Sequence, residues 1–215
     1  EHVAENHRRL AQEVGYDAQR LYEVSQVHGA SVAEVNPAQE PEAFRRNEAD
    51  ALLATHAGCA AGVRVADCAA VLLADPVSGA VAAVHAGWRG TVQQVVGRAV
   101  EQLCQRAGAA PGRMLAAVFP HIGVEAFEVG TEVAAQIAES APGVADVVVL
   151  RERPHADLRR ALVWQLGAVG LAPEHIDSVP GCTYADKTRF FSYRRDGARA
   201  GRHLAVIVAR GANSS

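Results

Sequence analysis

Apolar and polar positions along this chain alternate between a helical period and an extended one, and the switches mark its elements. From Val3 to Val14 the residues Val3, Leu10 and Val14 share a stripe and Gly15 follows as a stop, which predicts a helix. Leu21–Val27 and Ser31–Val35 read as two strands around His28-Gly29, and the polar residues 36–49, with two prolines, read as a connecting loop. Four further strands are expected at Ala51–Ala54, Gly62–Ala66, Ala69–Ala74 and Ala80–His85. The last two flank Asp75-Pro76-Val77-Ser78-Gly79, a turn that Asp and Pro initiate and Gly closes. Thr91 is placed to cap a helix running to about Arg106, ended by Gly108 and Pro111. Met114–Val118 predicts a strand, Glu132–Ser140 a helix, and Asp157–Val169 a helix with Asp157 as its N-cap. In that last helix Leu158, Ala161, Leu162, Gln165 and Leu166 fall at helical spacing, and His203–Val208 is expected as the final strand. Strands in close succession, separated by single helices, indicate an α+β fold with a mixed sheet flanked by helices rather than a doubly wound parallel one.

Composition narrows this only a little. With 215 residues, 49% hydrophobic and 21% charged, residues 1–215 suit one domain around one good core. A net charge of -3 gives no electrostatic footprint for nucleic acid or an anionic membrane. No apolar run approaches the ~18 residues of a membrane span. Glu1-His2-Val3-Ala4-Glu5-Asn6 is too polar for a signal peptide. The four cysteines are scattered without a C-x-x-C pair, so reduced thiols and a cytoplasmic location are expected. Cys104, inside a helical pattern, reads as core, and Cys59 and Cys182 read as structural thiols.

The candidate chemistry lies in Gln26-Val27-His28-Gly29, Val65-Ala66-Asp67-Cys68 and Val84-His85-Ala86-Gly87-Trp88-Arg89-Gly90. His28, Cys68 and His85 each stand at or near the end of an apolar β-like run. Three ligands of type His-Cys-His would leave one position of a tetrahedral zinc site open, as catalysis requires. Taken singly, His28 is equally an ordinary turn histidine and Cys68 a small core residue, while His85, ending a strand before a glycine-rich turn, is the stronger candidate. Arg89, with Gly87 and Gly90 beside it at a helix start, is a candidate phosphate contact, or else a surface arginine next to a core tryptophan. Arg64, Arg194 and Arg195 are further candidate anion contacts. Asp67 adjoins Cys68 and is a candidate to orient a ligand or act as a base, although extended backbone would turn the two to opposite faces. His121 is a candidate contact to substrate or, weakly, to metal.

These stretches, with Phe127-Glu128-Val129-Gly130 and Phe190-Phe191-Ser192-Tyr193-Arg194-Arg195-Asp196-Gly197, stand in the order found in the YfiH/laccase-domain proteins, and the chain resembles that family from about Asn6 to Val208. The resemblance implies a single α+β domain with zinc on His28, Cys68 and His85, and it favours Arg195 as a functional residue. It implies phosphorolysis of adenosine, inosine, guanosine and methylthioadenosine, and deamination of adenosine. Purine nucleosides and phosphate are then the expected small-molecule partners. A zinc ion suits deamination because it lowers the pKa of water from 15.7 toward ~7. Two departures stand out. Family members begin with a further strand and glycine-rich loop ahead of the helix containing Asn6, so part of the pocket is expected to be missing here. Where the family has Gly-Pro and a small residue or Cys, this chain has Phe119-Pro120-His121, which implies a bulkier ring near the pocket.

The family's older description as multicopper polyphenol oxidases is the rival reading. It fits poorly with nine histidines that contain no H-x-H pair, although copper would bind such a site in competition with zinc. An amidase acting on cell-wall precursors is a third reading. A zinc-stabilised interaction domain is the non-enzymatic one, and it predicts four protein ligands and a fold that chelators destroy.

Overall fold

The computed structural model describes residues 2–211. In chain order its first half comprises α1 (His2–Val14), β1 (Leu21–Tyr22), β2 (Val32–Glu34), α2 (Pro41–Phe44), β3 (Ala51–Ala54), β4 (Ala60–Val65), β5 (Ala69–Ala74), β6 (Val81–Ala86), α3 (Trp88–Val92) and α4 (Val95–Ala107). The second half adds β7 (Leu115–Val118), α5 (Thr131–Ser140), β8 (Val148–Leu150), β9 (Pro154–Ala156), α6 (Leu158–Ala168), β10 (Ile176–Ser178), α7 (Tyr193–Asp196) and β11 (His203–Val208). A six-stranded mixed sheet, β10-β7-β5-β6-β3-β2, is packed against a three-stranded one, β1-β4-β11, and β8-β9 form a small hairpin.

Strands β3, β5 and β6 are apolar at almost every position because both faces of the large sheet are covered. Alternate residues feed two cores. Leu53, Val71, Leu73, Ala82 and Val84 face the helices, joined by Val96, Val100 and Leu103 of α4 and Leu158, Leu162 and Leu166 of α6. Leu52, Ala54, Ala70, Val81 and Ala83 face the small sheet and meet Val63, Val65 and Tyr22. Each buried Val or Leu contributes roughly 1.5–3 kcal/mol, so the layering itself is well specified by the strand pattern. The mixed α/β domain expected from the sequence is what forms. Among the described residues no helix is long and apolar enough to cross a membrane.

Several elements depart from expectation. Helix α1 forms, but its stripe does not face the core: Val3 is 69% and Val14 43% exposed, and only Ala11 is buried. The helix expected from Thr91 to Arg106 is two helices, broken where Gln94 turns left-handed at φ 61°. Thr91 is not a cap. It lies inside α3, and its Oγ1 donates back to the Gly87 carbonyl at 3.0 Å. The break frees Gln94 Nε2 to reach the Ser140 carbonyl, which the buried Gln165 also binds together with that of Thr91. Asp157 caps α6 as its position predicts, accepting from Arg160 N. The strand read over Leu21–Val27 ends at Tyr22 because the side chain of Gln26 takes over the pairing role. Its Oε1 accepts from Arg64 N and its Nε2 donates to Arg64 O, both at 2.8 Å.

Candidate active site

Strand register builds the floor of the site. Antiparallel pairing of β5 with β6 sets Ala69 opposite Ala86 and Ala70 opposite His85, so Cys68, one step beyond, arrives beside Gly87. Pairing of β3 with β6 sets Ala51 opposite Val84, which brings Asp50 beside His85, and His85 N donates to Asp50 O at 2.7 Å. His28 comes from the loop after β1 and reaches the same place in the left-handed conformation, at φ 61°. Potential ligand atoms of His28, Cys68 and His85 all lie within 4.8 Å of one another, the one such trio found among the described residues.

Asp50 organises this floor. Fully buried, its carboxylate accepts from the amides of Val27 (3.3 Å), His28 (2.9 Å) and Gly29 (2.6 Å), a concave run of N–H groups suited to one anion. Its Oδ1 also lies 2.8 Å from His85 Nδ1, which leaves Nε2 of that ring directed to the trio. Burial works against the charge, but the bonds from His85 and the loop amides hold the Asp50 carboxyl below its usual range. The sequence reading missed this residue. Its one signal was a carboxylate immediately ahead of an entirely apolar strand, a position where a charge must have a partner.

The donor types of the trio, one thiol and two imidazoles, suit a divalent cation, which would displace the protons they share. Burial opposes ionisation of both groups. The hydrogen bonds linking Cys68 to His28 and His85 nevertheless bring its thiol down to about 7, and those from Asp50 and Cys68 lift His85 to about 9. A tetrahedral ion bonded at zinc distances would hold these donors about 3.3–3.6 Å apart, a modest contraction from their present spacing. Space is reserved as well. A Cβ on Gly87 would stand 2.9 Å from Cys68 Sγ and 3.4 Å from His28 Cδ2. Because Gly87 has φ -74°, alanine there meets no backbone strain, only that crowding. Gly87→Ala is therefore expected to weaken zinc binding about 10- to 100-fold with little change in unfolding temperature. Competition with a chromophoric chelator measures it, and unchanged affinity would refute the packing argument.

The trio opens into a cleft of about 650 Å³ that also takes Gln26, Arg64, Asp67, Phe127, Tyr193 and Arg194 into its walls. Asp67 corrects the alternation argument. Its backbone is not extended but left-handed at φ 86°, so Asp67 and Cys68 line the same cleft. Its carboxylate is occupied by Thr183 Oγ1 (2.6 Å), Ser192 Oγ (3.0 Å) and Arg194 N (2.6 Å), which fastens the C-terminal segment as a wall. The Arg194 guanidinium donates to the Glu128 carbonyl and lies over Phe127. Phe127, Tyr193 and Arg202 line the cleft without having been singled out as contacts.

Four candidates fall elsewhere. Arg195 lies outside the cleft and spends all five donors on Thr183 O, Tyr184 O, Phe190 O and the two oxygens of Asp196, so it pins a loop. Arg89 is exposed and stacked on Trp88 at 4.4 Å. A Cβ on Gly90 would meet Gly29 O at 2.9 Å, so this glycine permits close packing of the two loops. His121 is buried outside the trio and the cleft lining, with Nδ1 2.7 Å from Ile122 O and Nε2 without a partner among the described residues. Phe119 packs against the core between the sheets, not into the cleft. All four cysteines are free, and Cys182 Sγ accepts from Gly123 N.

Comparison with known proteins agrees with this architecture. Residues 1–210 match the family described as "Multi-copper polyphenol oxidoreductase laccase". A purine nucleoside phosphorylase of Deinococcus radiodurans is 42% identical over 206 residues, 95% of this chain and 76% of that protein. Adenosine deaminase RL5, from an unknown prokaryote, is 36% identical over 209 residues, 94% of this chain and 79% of that protein. Among solved structures, the hypothetical protein YfiH of Bacillus licheniformis superposes with a TM-score of 0.89 at 25% identity, covering 96% of this chain and 80% of its own. YlmD from Geobacillus stearothermophilus gives 0.87 at 30% identity, covering 95% and 79%. With the match extending from the first helix to the last strand, this chain belongs to the multi-copper polyphenol oxidoreductase laccase family and has the YfiH fold.

Proposed function

We propose that this protein processes purine nucleosides, by phosphorolysis of adenosine, inosine, guanosine and methylthioadenosine and by deamination of adenosine, with zinc held by His28, Cys68 and His85. The observation that carries the reading is the convergence of those three side chains on the floor of one open cleft. Relatives named for both reactions support it. Zinc bound there supplies Lewis acidity, enough to make water a nucleophile near neutral pH. Asp50 holds His85 in one tautomer and His28 in one loop conformation, so the donors keep their geometry through a reaction. Phe127, Ile122 and Tyr193 offer apolar and aromatic walls for a purine ring.

Zinc-loaded protein incubated with adenosine is expected to yield inosine without phosphate, and adenine with ribose 1-phosphate when phosphate is added. Chromatography resolves all three products, and their complete absence from a zinc-replete sample would overturn the reading. The copper alternative expects catechol oxidation by copper-loaded protein instead. A multicopper centre needs a second ligand cluster, and among the described residues there is one trio.

A further inference from the structure

One carboxylate buried beside the cleft serves two guanidinium groups. Glu23 is 3% exposed, bound by Arg45 Nη2 at Oε2 and approached by Arg64 Nε at 3.1 Å from Oε1. Arg45 has a second acidic neighbour in Glu42, 3.8 Å away and 84% exposed, where solvent screening leaves little interaction. Two positive charges therefore share one buried negative charge.

Of the two arginines, Arg64 is the one that lines the cleft. Its main chain is fixed on both sides by Gln26, whose side chain binds Arg64 N and Arg64 O. Its Nε lies 3.1 Å from Glu23 Oε1 as an ion pair without hydrogen-bond geometry. Among the described residues neither terminal nitrogen has a protein acceptor, and the side chain, 43% exposed, lines the cleft that contains the trio. A guanidinium held beside a buried carboxylate with both terminal nitrogens free is a fork for two oxygens of one anion. The other cleft arginines are less suited. Arg194 spends its terminal nitrogens on the Glu128 carbonyl, and Arg202 rests on the carbonyls of Ala200 and Gly201 in its own loop.

We propose that Arg64, braced by Glu23, is the arm that receives inorganic phosphate, and that Glu23 is a positioning residue which thereby separates phosphorolysis from deamination in a single cleft. This rests on the purine nucleoside reading above. In phosphorolysis an oxygen of hydrogen phosphate forms a bond to C1′ of the ribose. The C1′–N9 bond breaks with its electron pair going to the purine, and the proton carried by hydrogen phosphate ends on the base. Deamination exchanges water for ammonia and needs no anion, so it makes no demand on Arg64.

The test compares wild type, Arg64→Ala, Arg64→Lys and Glu23→Gln, all zinc-loaded. Three quantities are read: the KM for phosphate in inosine phosphorolysis, kcat/KM for adenosine deamination, and the calorimetric heat of inorganic phosphate binding without nucleoside. Arg64→Ala is expected to raise the phosphate KM about tenfold or more, to abolish the phosphate heat, and to cost phosphorolysis at least about tenfold more than it costs deamination. Arg64→Lys falls between, because an ammonium binds phosphate without the fork. Glu23→Gln raises the phosphate KM while kcat at saturating phosphate stays near wild type. Equal loss of both reactions in Arg64→Ala, or an unchanged phosphate KM, overturns the assignment. If phosphorolysis proceeds and Arg64→Ala binds phosphate normally, the arm is wrong and the nucleoside reading stands. If wild type binds phosphate and Arg64→Ala does not, yet wild type forms no product, the arm stands and the nucleoside reading falls.

Discussion

Asp50→Ala is expected to destabilise the protein by about 3–5 kcal/mol, the cost of breaking a buried charged pair by removing one partner. The same change should lower its affinity for zinc about 100-fold. Alanine leaves the amides of Val27, His28 and Gly29 and the buried ring nitrogen of His85 without their protein acceptor. Each such orphan costs about 1–3 kcal/mol, partly relieved as the loop relaxes toward water. The metal site suffers separately, since loss of an outer carboxylate usually costs 10- to 100-fold in affinity and here two ligands are released together. Asp50→Asn gives a finer reading. Its carbonyl still accepts from the loop amides, but its NH2 group confronts a donor, so stability should drop less than in the alanine variant. Urea unfolding and chelator competition measure the two effects. An Asp50→Ala protein with wild-type values for both would show that the carboxylate is dispensable.

Cys68→Ala is the second large effect, and it should separate function from folding. Zinc sites with four ligands bind with about 10–16 kcal/mol, so one ligand carries about 3–4 kcal/mol, on the order of 10²–10³ in affinity. Turnover of nucleoside should fall in step, because the remaining histidines hold the ion too loosely to keep it in place. The fold should notice little. Cys68 is half-buried at the edge of the core between the sheets, where losing one sulfur atom costs less than about 1.5 kcal/mol. Cys68→Ser keeps the volume and offers a harder, weaker ligand, so it should retain some metal where alanine retains almost none. Elemental analysis after dialysis, paired with the unfolding midpoint, reads both. Stoichiometric, tightly held zinc in Cys68→Ala would remove the thiol from the ligand set.

What could be read in advance divides along physical lines. The apolar runs of β3, β5 and β6 declared themselves because strands covered on both faces leave no polar positions to confuse the period. Asp157 declared α6 because a cap acts within its own few residues. The break at Gln94 was invisible, since its reward is a bond to Ser140 across the interior. The same distinction runs through the site. His28, Cys68 and His85 carry their chemistry in their side-chain type, and the surrounding motifs marked them. Asp50 and Glu23 act by what they bind, and nothing in sequence ties them to residues that only β-register brings near. Arg195 is the converse case. It sits in a distinctive motif, and the fold places it outside the cleft with all five donors on neighbouring backbone and Asp196.

The bonds from Asp67 to the C-terminal segment join residues 116 to 127 positions apart. The floor of the cleft closes through the β5–β6 pairing, a short hairpin whose partners meet early. On the ribosome, His28, Cys68 and His85 have all been made while Thr183, Ser192 and Arg194 are still to be translated. The nascent chain thus contains the trio well before it contains the residues that wall the cleft above it, and a chain cut short before Thr183 would lack all three partners of Asp67.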